Sequence, residues 1–253
     1  MCKRTSMKLE TRTALVTGGA VRIGKAIGEA LAEAGCNIVV HFDRSGDEAA
    51  DTAEEIRAKG VEAHVVKGSL AESAECERIM NEAWELAGGL DVLINNAAVF
   101  HKESLAESTD ESLLQDLQVN LLAPIALTRA FASRLEGGGD GASGAVVNIV
   151  DRRISSNEPG CMPYLLSKKA LAEFTRNAAL ELAPRITVNA VGPGAILAPS
   201  GEDESVAREL AGEAPLDYFC GPGDVARAVV FLLESDGVTG QTLFVDSGQH
   251  LMT

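Results

Sequence analysis

Tyr164 and Lys168 close the stretch VVNIVDRRISSNEPGCMPYLLSK, residues 146 to 168, and a spacing of four puts them on one face of a shared helix. A phenol with an ordinary pKa of about 10 is a poor acid or base at neutral pH, and a nearby ammonium favours its phenolate. The two residues read as a proton-transfer device in which Lys168 tunes Tyr164. Lys169 is the decoy beside it. Earlier in the stretch stands Asp151, whose carboxylate accepts a hydrogen bond from a hydroxyl but, when ionised, donates none.

Elements of regular length must position these groups. TALVT (13–17), NIVVHF (37–42), AHVVK (63–67), DVLIN (91–95), AVVNIV (145–150), ITVNAV (186–191) and TLFVD (242–246) are continuous apolar runs, as strands buried on both faces require. Helical patterns lie between them, near 23–34, 47–59, 72–87, 110–135, 163–182 and 223–235; Leu113, Leu117, Leu121 and Ile125 show the spacing. Such alternation predicts right-handed crossovers and one α/β domain over 1–253, a Rossmann-type doubly wound parallel sheet with helices on both faces. GGGDGASG (137–144) reads as a loop before a strand. The loop near 195–218 follows a strand end, where ligands bind in this architecture, and is expected to set substrate specificity.

The first strand runs into TGGAVRIGKAIGEAL, with Gly18, Gly19, Arg22, Ile23 and Gly24 at the turn into a helix. Glycines there permit a tight turn and close backbone approach, and the helix start presents unpaired N–H groups to a diphosphate. The second strand ends in HFDRS. Asp43 would suit the free ribose hydroxyls of NAD, whereas Arg44 and Ser45 can donate to the 2'-phosphate of NADP, and NADP(H) is the expected cofactor.

A net charge of -15 argues against nucleic acid and anionic membrane surfaces as partners, since both reward basic patches. No run approaches the roughly 18 apolar residues that span a bilayer. MCKRTSMKLETRT lacks an apolar core after its basic residues, so a cytoplasmic location is expected. Five scattered cysteines without a CxxC favour free thiols over a disulfide framework or a zinc site, and no metal is expected.

Taken in order along nearly the whole chain, the glycine loop, NNAA at 95–98, Asn120, Tyr164 with Lys168, and Pro193-Gly194 resemble the landmarks of the short-chain dehydrogenase/reductase family. The resemblance implies that Lys168 also holds the nicotinamide ribose and that Asn120 anchors a water in the proton relay. It extends the cofactor-binding set to His41, Ser69, Leu70, Asn96 and Ala97; Ser69 stands where the family commonly has an Asp that contacts adenine. It also implies a dimer or tetramer built on the long central helices, with apolar, small-residue faces around 113–131 and 165–182 (Ala170, Ala178, Ala179) compatible with that and equally with a core role.

Most of the family carries a Ser thirteen residues before the Tyr, and Asp151 fills that position here. The bland alternative makes Asp151, beside Arg152 and Arg153, a solvated loop charge, with Ser155 or Ser156 substituting. In the catalytic reading, the carboxylate accepts from the Tyr164 hydroxyl, disfavours the phenolate and helps deliver a proton. That suits a ring C=N, whose nitrogen needs a proton, and amino-pyrimidine N–H groups.

The pteridine reductases are similar in carrying this Asp, an Arg in the glycine loop (Arg22), the HxxRS strand end (His41 to Ser45) and a Phe soon after NNA (Phe100). That resemblance implies NADPH-dependent reduction of a dihydropterin-like or dihydrofolate-type C=N substrate, with hydride from nicotinamide C4 and the proton from Tyr164 and Asp151. Phe100 would stack the pterin against the nicotinamide, and Arg22 would contact cofactor phosphate and the pterin pocket. The rivals are a carbonyl reductase or alcohol dehydrogenase of the same fold, acting on 3-oxoacyl or sugar substrates, and an NADP-binding regulatory protein without turnover.

Overall fold

The apolar runs become seven strands because every residue in them has a face to bury. A computed structural model describes residues 8–137, 142–197 and 214–252. The strands are β1 (Thr13–Val16), β2 (Asn37–Phe42), β3 (Ala63–Lys67), β4 (Val92–Asn95), β5 (Gly144–Ile149), β6 (Ile186–Pro193) and β7 (Thr242–Val245). They form one sheet in the order β3-β2-β1-β4-β5-β6-β7, with every neighbouring pair parallel. Helices α1 (Arg22–Glu33), α2 (Gly46–Arg57), α3 (Ser73–Ala87), α4 (Asp110–Leu117), α5 (Ala123–Gly137), α6 (Met162–Glu181) and α7 (Pro222–Glu234) cover the two faces.

Successive strand side chains point to opposite sides, so each strand feeds two cores. Ala14, Val16, Ile38, Val40, Val92 and Ile94 pack with Ile27, Leu31, Ile56 and Val229 from α1, α2 and α7. Leu15, Val39 and Leu93 pack with Ile79, Leu127 and Phe131 from α3 and α5. This double burial explains why the strands read as unbroken apolar runs rather than alternations. Parallel pairing throughout puts the strand C-termini at one edge. Because β1 lies between β2 and β4, the chain leaves that edge in opposite directions on either side of it and opens the crevice where this fold binds ligands.

The expected helix over 110–135 is interrupted. A π-helical turn, Gln118–Leu122, separates α4 from α5 and carries the fully buried Asn120. Pro124 gives the physical reason, since it has no N–H to offer the Asn120 carbonyl four residues back. Ala178 and Ala179 take the core alternative: they are buried in the cluster with Val188 and Ile186 and form no outer face. Parts of two predicted loops, 138–141 and 198–213, lie outside the described residues. No helix among the described residues is long and apolar enough to cross a membrane.

Candidate active site

The glycine turn is assembled from three strands. Gly18 adopts a left-handed φ of 60°, and its N–H donates to Nδ1 of His41 at 3.3 Å, while the Gly19 N–H donates to the His41 carbonyl at 2.9 Å. From β4, Asn96 Nδ2 donates to the carbonyls of Thr17 and Gly18, at 2.8 and 3.1 Å. The Asn96 and Ala97 amides both donate to Thr17 Oγ1, at 2.9 and 3.1 Å. Arg22 then takes a φ of 57°, unusual for a side chain with a Cβ, and turns the chain into α1. Ile23 and Gly24 follow with the unpaired amides of a helix start.

These residues fit a dinucleotide. A Cβ at Gly24 would collide with the Gly18 carbonyl, and one at Gly18 would sit 3.1 Å from Ala97 Cα, so glycine keeps the cradle open. At the tip of β2 the Arg44 side chain is 90% exposed, with Asp43 as its ion-pair partner at 3.6 Å. Ser45 precedes α2 without using its hydroxyl as a cap. Ser69 accepts from the Ala71 amide at 3.3 Å, beside the buried Leu70. Pro193 ends β6; Gly194 donates to the Val245 carbonyl at 3.0 Å, and a Cβ there would meet Gln249 Oε1 at 2.7 Å.

His41 is a special case. Its Nε2 lies 3.0 Å from the Gly68 carbonyl, so the ring donates at Nε2 and accepts at Nδ1. Burial pushes its pKa down to about 4. The side chain is 2% exposed and engaged at both nitrogens, which gives it the role of a brace beneath the glycine turn.

On the other side of the sheet edge, Asp151 ends the segment after β5 and Tyr164 sits in the first turn of α6. The Tyr164 hydroxyl donates to Asp151 Oδ2 at 3.0 Å, and Asp151 Oδ1 accepts from the Arg153 N–H at 2.8 Å. The alternative hydroxyls point elsewhere: Ser155 Oγ donates to the Arg152 carbonyl at 2.8 Å, and Ser156 Oγ to that of Arg153 at 3.5 Å. Asp151 is therefore the group that meets Tyr164, and its side chain, 14% exposed, is no solvated loop charge. Lys168 is buried and donates from Nζ to the Ile149 carbonyl at 2.7 Å, whereas Lys169 faces out to Asn157.

Proton affinities in this cluster follow the expectation for Asp151 but not the one for Lys168. Burial first, then the like charge of Asp151 and the hydrogen bond to it, push Tyr164 well above the ordinary range of a phenol. Lys168, which was expected to favour the phenolate, is itself lowered to about 8 by burial, with Asp151 and Asp116 opposing. Tyr164 is held protonated at neutral pH. The same push makes it a reluctant donor, so the proton leaves only when a more basic atom takes it.

The loop after β4 is fixed by Asn120 together with Asp116, His101 and Ser167, which the sequence did not single out. Val99 exchanges two hydrogen bonds with the Asn120 side chain, N–H to Oδ1 and Nδ2 to carbonyl, both at 2.9 Å. Asn120 Nδ2 also reaches Asp116 Oδ1 and Ser167 Oγ, both at 3.0 Å. Asp116 is fully buried, with His101 Nδ1 at 2.8 Å from its other oxygen. This polar knot holds Phe100, half exposed, edge-on above Tyr164, with ring centroids 4.6 Å apart and an interplanar angle of 83°. The spacing of four between Asp116 and Asn120 was the available signal, but only the fold puts His101 against it.

A parallel sheet with a braced glycine turn on one side of its switch point and a buried Tyr and Lys on the other defines a nucleotide-dependent oxidoreductase site. Comparison with known proteins agrees. Residues 19–250 match the family model described as enoyl-(acyl carrier protein) reductase. The 3-oxoacyl-[acyl-carrier-protein] reductase FabG of Staphylococcus aureus is 32% identical over 247 residues, covering 95% of this chain and 99% of that protein. Among solved structures, the FolM alternative dihydrofolate reductase 1 from Brucella canis, complexed with NADP, superposes with a TM-score of 0.90 at 33% identity, covering 96% of each chain. The Brucella suis FolM complex with NADP gives 0.89 at 33% identity, covering 97% of each. The chain belongs to the short-chain dehydrogenase/reductase family and is an oxidoreductase of the kind that uses a nicotinamide dinucleotide.

Proposed function

We propose that this protein is an NADPH-dependent reductase of a pterin-like, dihydropteridine- or dihydrofolate-type C=N substrate. The observation that carries the reading is the 3.0 Å hydrogen bond from the Tyr164 hydroxyl to the Asp151 carboxylate. A carboxylate at this point repels a developing alkoxide but accepts amino-pyrimidine N–H groups. Bound NADPH supplies the hydride. The Tyr164 and Asp151 pair supplies the proton to the ring nitrogen, and Lys168, brought to about 8, returns one to Tyr164 at neutral pH. Arg44 and Ser45 take the 2'-phosphate, Arg22 and the α1 amides take the diphosphate, and Lys168 takes the nicotinamide ribose. Phe100 offers a face to a flat heterocycle, with Arg22 at the same pocket. The NADP complexes of two FolM proteins at 33% identity support the cofactor and the substrate class.

The test is NADPH oxidation with a dihydropterin panel, comparing the parent protein with Asp151→Ser. Pterin turnover that collapses in the variant is expected. A second reading, reduction of 3-oxoacyl substrates, is favoured by the 32% identity to FabG. Turnover of 3-oxoacyl substrates without any of pterins would establish it instead. Cofactor binding without oxidation by any substrate would revive the regulatory reading.

A cytoplasmic location and one domain over 1–253, with a substrate loop near 195–218, belong to the same proposal. So does assembly as a dimer or tetramer through the outer faces of α4, α5, α6 and the π-helical turn, where Leu114, Leu122 and Leu166 are exposed. Light scattering that returns a monomer mass would remove the assembly.

A further inference from the structure

The turn after β5 carries a charged cluster that no family motif marks. Asp151 caps a short 3-10 turn, Arg152–Ser155. Arg153 grips it twice, with its backbone N–H on Oδ1 at 2.8 Å and its Nη1 3.4 Å from Oδ2, the oxygen that accepts from Tyr164. Arg153 is itself held: its Nε donates to Glu158 Oε2 at 2.7 Å, and Arg152 Nη1 donates to Glu158 Oε1, also at 2.7 Å. The cluster is largely covered, with side-chain exposures of 12% for Arg152, 27% for Arg153 and 28% for Glu158.

Two carboxylates and two guanidiniums under partial cover lose hydration, and such pairs are weak evidence of stabilisation. What they fix well is direction, because a planar guanidinium offers donors in a rigid fork. We propose that Arg153, oriented by Glu158, is a positioning residue that clamps the Asp151 carboxylate onto the Tyr164 hydroxyl. This rests on the reading of Asp151 and Tyr164 as the proton-transfer pair. Without the guanidinium, only the residue 153 backbone N–H and the Tyr164 hydroxyl hold the carboxylate, its aim loosens, and the loss falls on the proton step rather than on cofactor binding. The charged and titratable groups around the pair are Arg153 and Cys161, with Lys168 and Asp116 behind. Among them Arg153 is the cation that opposes the upward push of Asp151 on Tyr164.

A double-mutant cycle tests the proposal on the full chain, with Arg153→Met, Asp151→Asn and the pair, using whichever substrate of the pterin or 3-oxoacyl panels the parent turns over. Arg153→Met is expected to lower kcat by roughly 10- to 100-fold, the scale of a misaimed catalytic group, with KM for NADPH changed less than about two-fold. In the Asp151→Asn background the same change is expected to cost less than about two-fold, because the clamped group is gone. Arg153→Lys keeps the charge without the fork and is expected to restore part of kcat. An equal loss from Arg153→Met in both backgrounds, an unchanged kcat, or a loss confined to KM for NADPH overturns the clamp. Should the Met variant fail to bind NADPH, the Lys variant carries the same cycle. A parent active only on 3-oxoacyl substrates would sink the pterin reading while leaving Arg153 testable.

Discussion

The hydroxyl of Tyr164 donates to Oδ2 of Asp151 over 3.0 Å, inside a site that covers nearly all of the tyrosine. A phenol in that position keeps its proton until a substrate takes it. The same contact penalises the phenolate that would remain afterwards, so a proton source close behind it is required. Lys168, one helical turn along α6 and lowered to about 8, with Nζ 5.8 Å from the Tyr164 ring centroid, is the source the proposed mechanism uses.

Removing the phenolic oxygen should therefore strike chemistry and spare binding. Tyr164→Phe is expected to lower kcat by roughly 10²- to 10⁴-fold, the usual worth of a positioned acid. The affinity for NADPH, measured by fluorescence titration, should stay within a few-fold. An equal collapse of both would mean that the ring is structural.

Arg44 is exposed at the tip of β2, with Asp43 as its ion-pair partner among the described residues. Hydrogen bonds to a charged group are worth about 1.5–3 kcal/mol, so Arg44→Ala should raise KM for NADPH by roughly 10- to 100-fold. KM for NADH should barely move. Parallel changes in the two constants would remove Arg44 from the 2'-phosphate site.

Two glycines of α1 make a paired test of the cradle. A Cβ at Gly24 runs into the Gly18 carbonyl and lies 2.6 Å from Asn96 Nδ2, so Gly24→Ala should abolish cofactor binding. A Cβ at Gly28 finds nothing nearer than Ile56 Cδ1 at 3.4 Å, and Ala is the better helix former by about 1 kcal/mol. Gly28→Ala should bind NADPH normally and melt at or above the parent temperature.

His41 should make the brace beneath the glycine turn acid-sensitive. Its proton leaves near pH 4 in the folded chain and near 6.5 in the unfolded one. Between these values the unfolded chain binds more protons, so its contribution is full above 6.5 and is lost as pH falls through 4. The shift corresponds to ~3 kcal/mol. Urea unfolding at pH 7 and pH 4.5 should show a smaller acid loss for His41→Gln than for the parent; equal losses would exclude the brace.

The outcomes for Asn120 and Asp116 show where sequence reasoning stops. Asn120 is recognisable as a landmark, and Pro124 four residues on is a visible reason for the helix to widen there. Nothing linear connects Asp116 to His101 or Val99 to the Asn120 amide, because those contacts need the loop after β4 folded back over the helix. Lys168 makes the complementary point. Its type and spacing predict a charge that lowers the tyrosine, yet burial of both groups and the carboxylate of Asp151 reverse the sign.

By itself, the sequence determined the sheet, since unbroken apolar runs between amphipathic helices have few other ways to bury both faces. It also marked the candidate reacting groups, because the landmarks occur in fixed order along one chain. Tertiary structure decided which of Asp151, Ser155 and Ser156 meets the tyrosine, which of Lys168 and Lys169 faces inward, and which protons are held. Those outcomes depend on distances of a few ångström and on water excluded from around charges, and neither quantity exists until the elements pack.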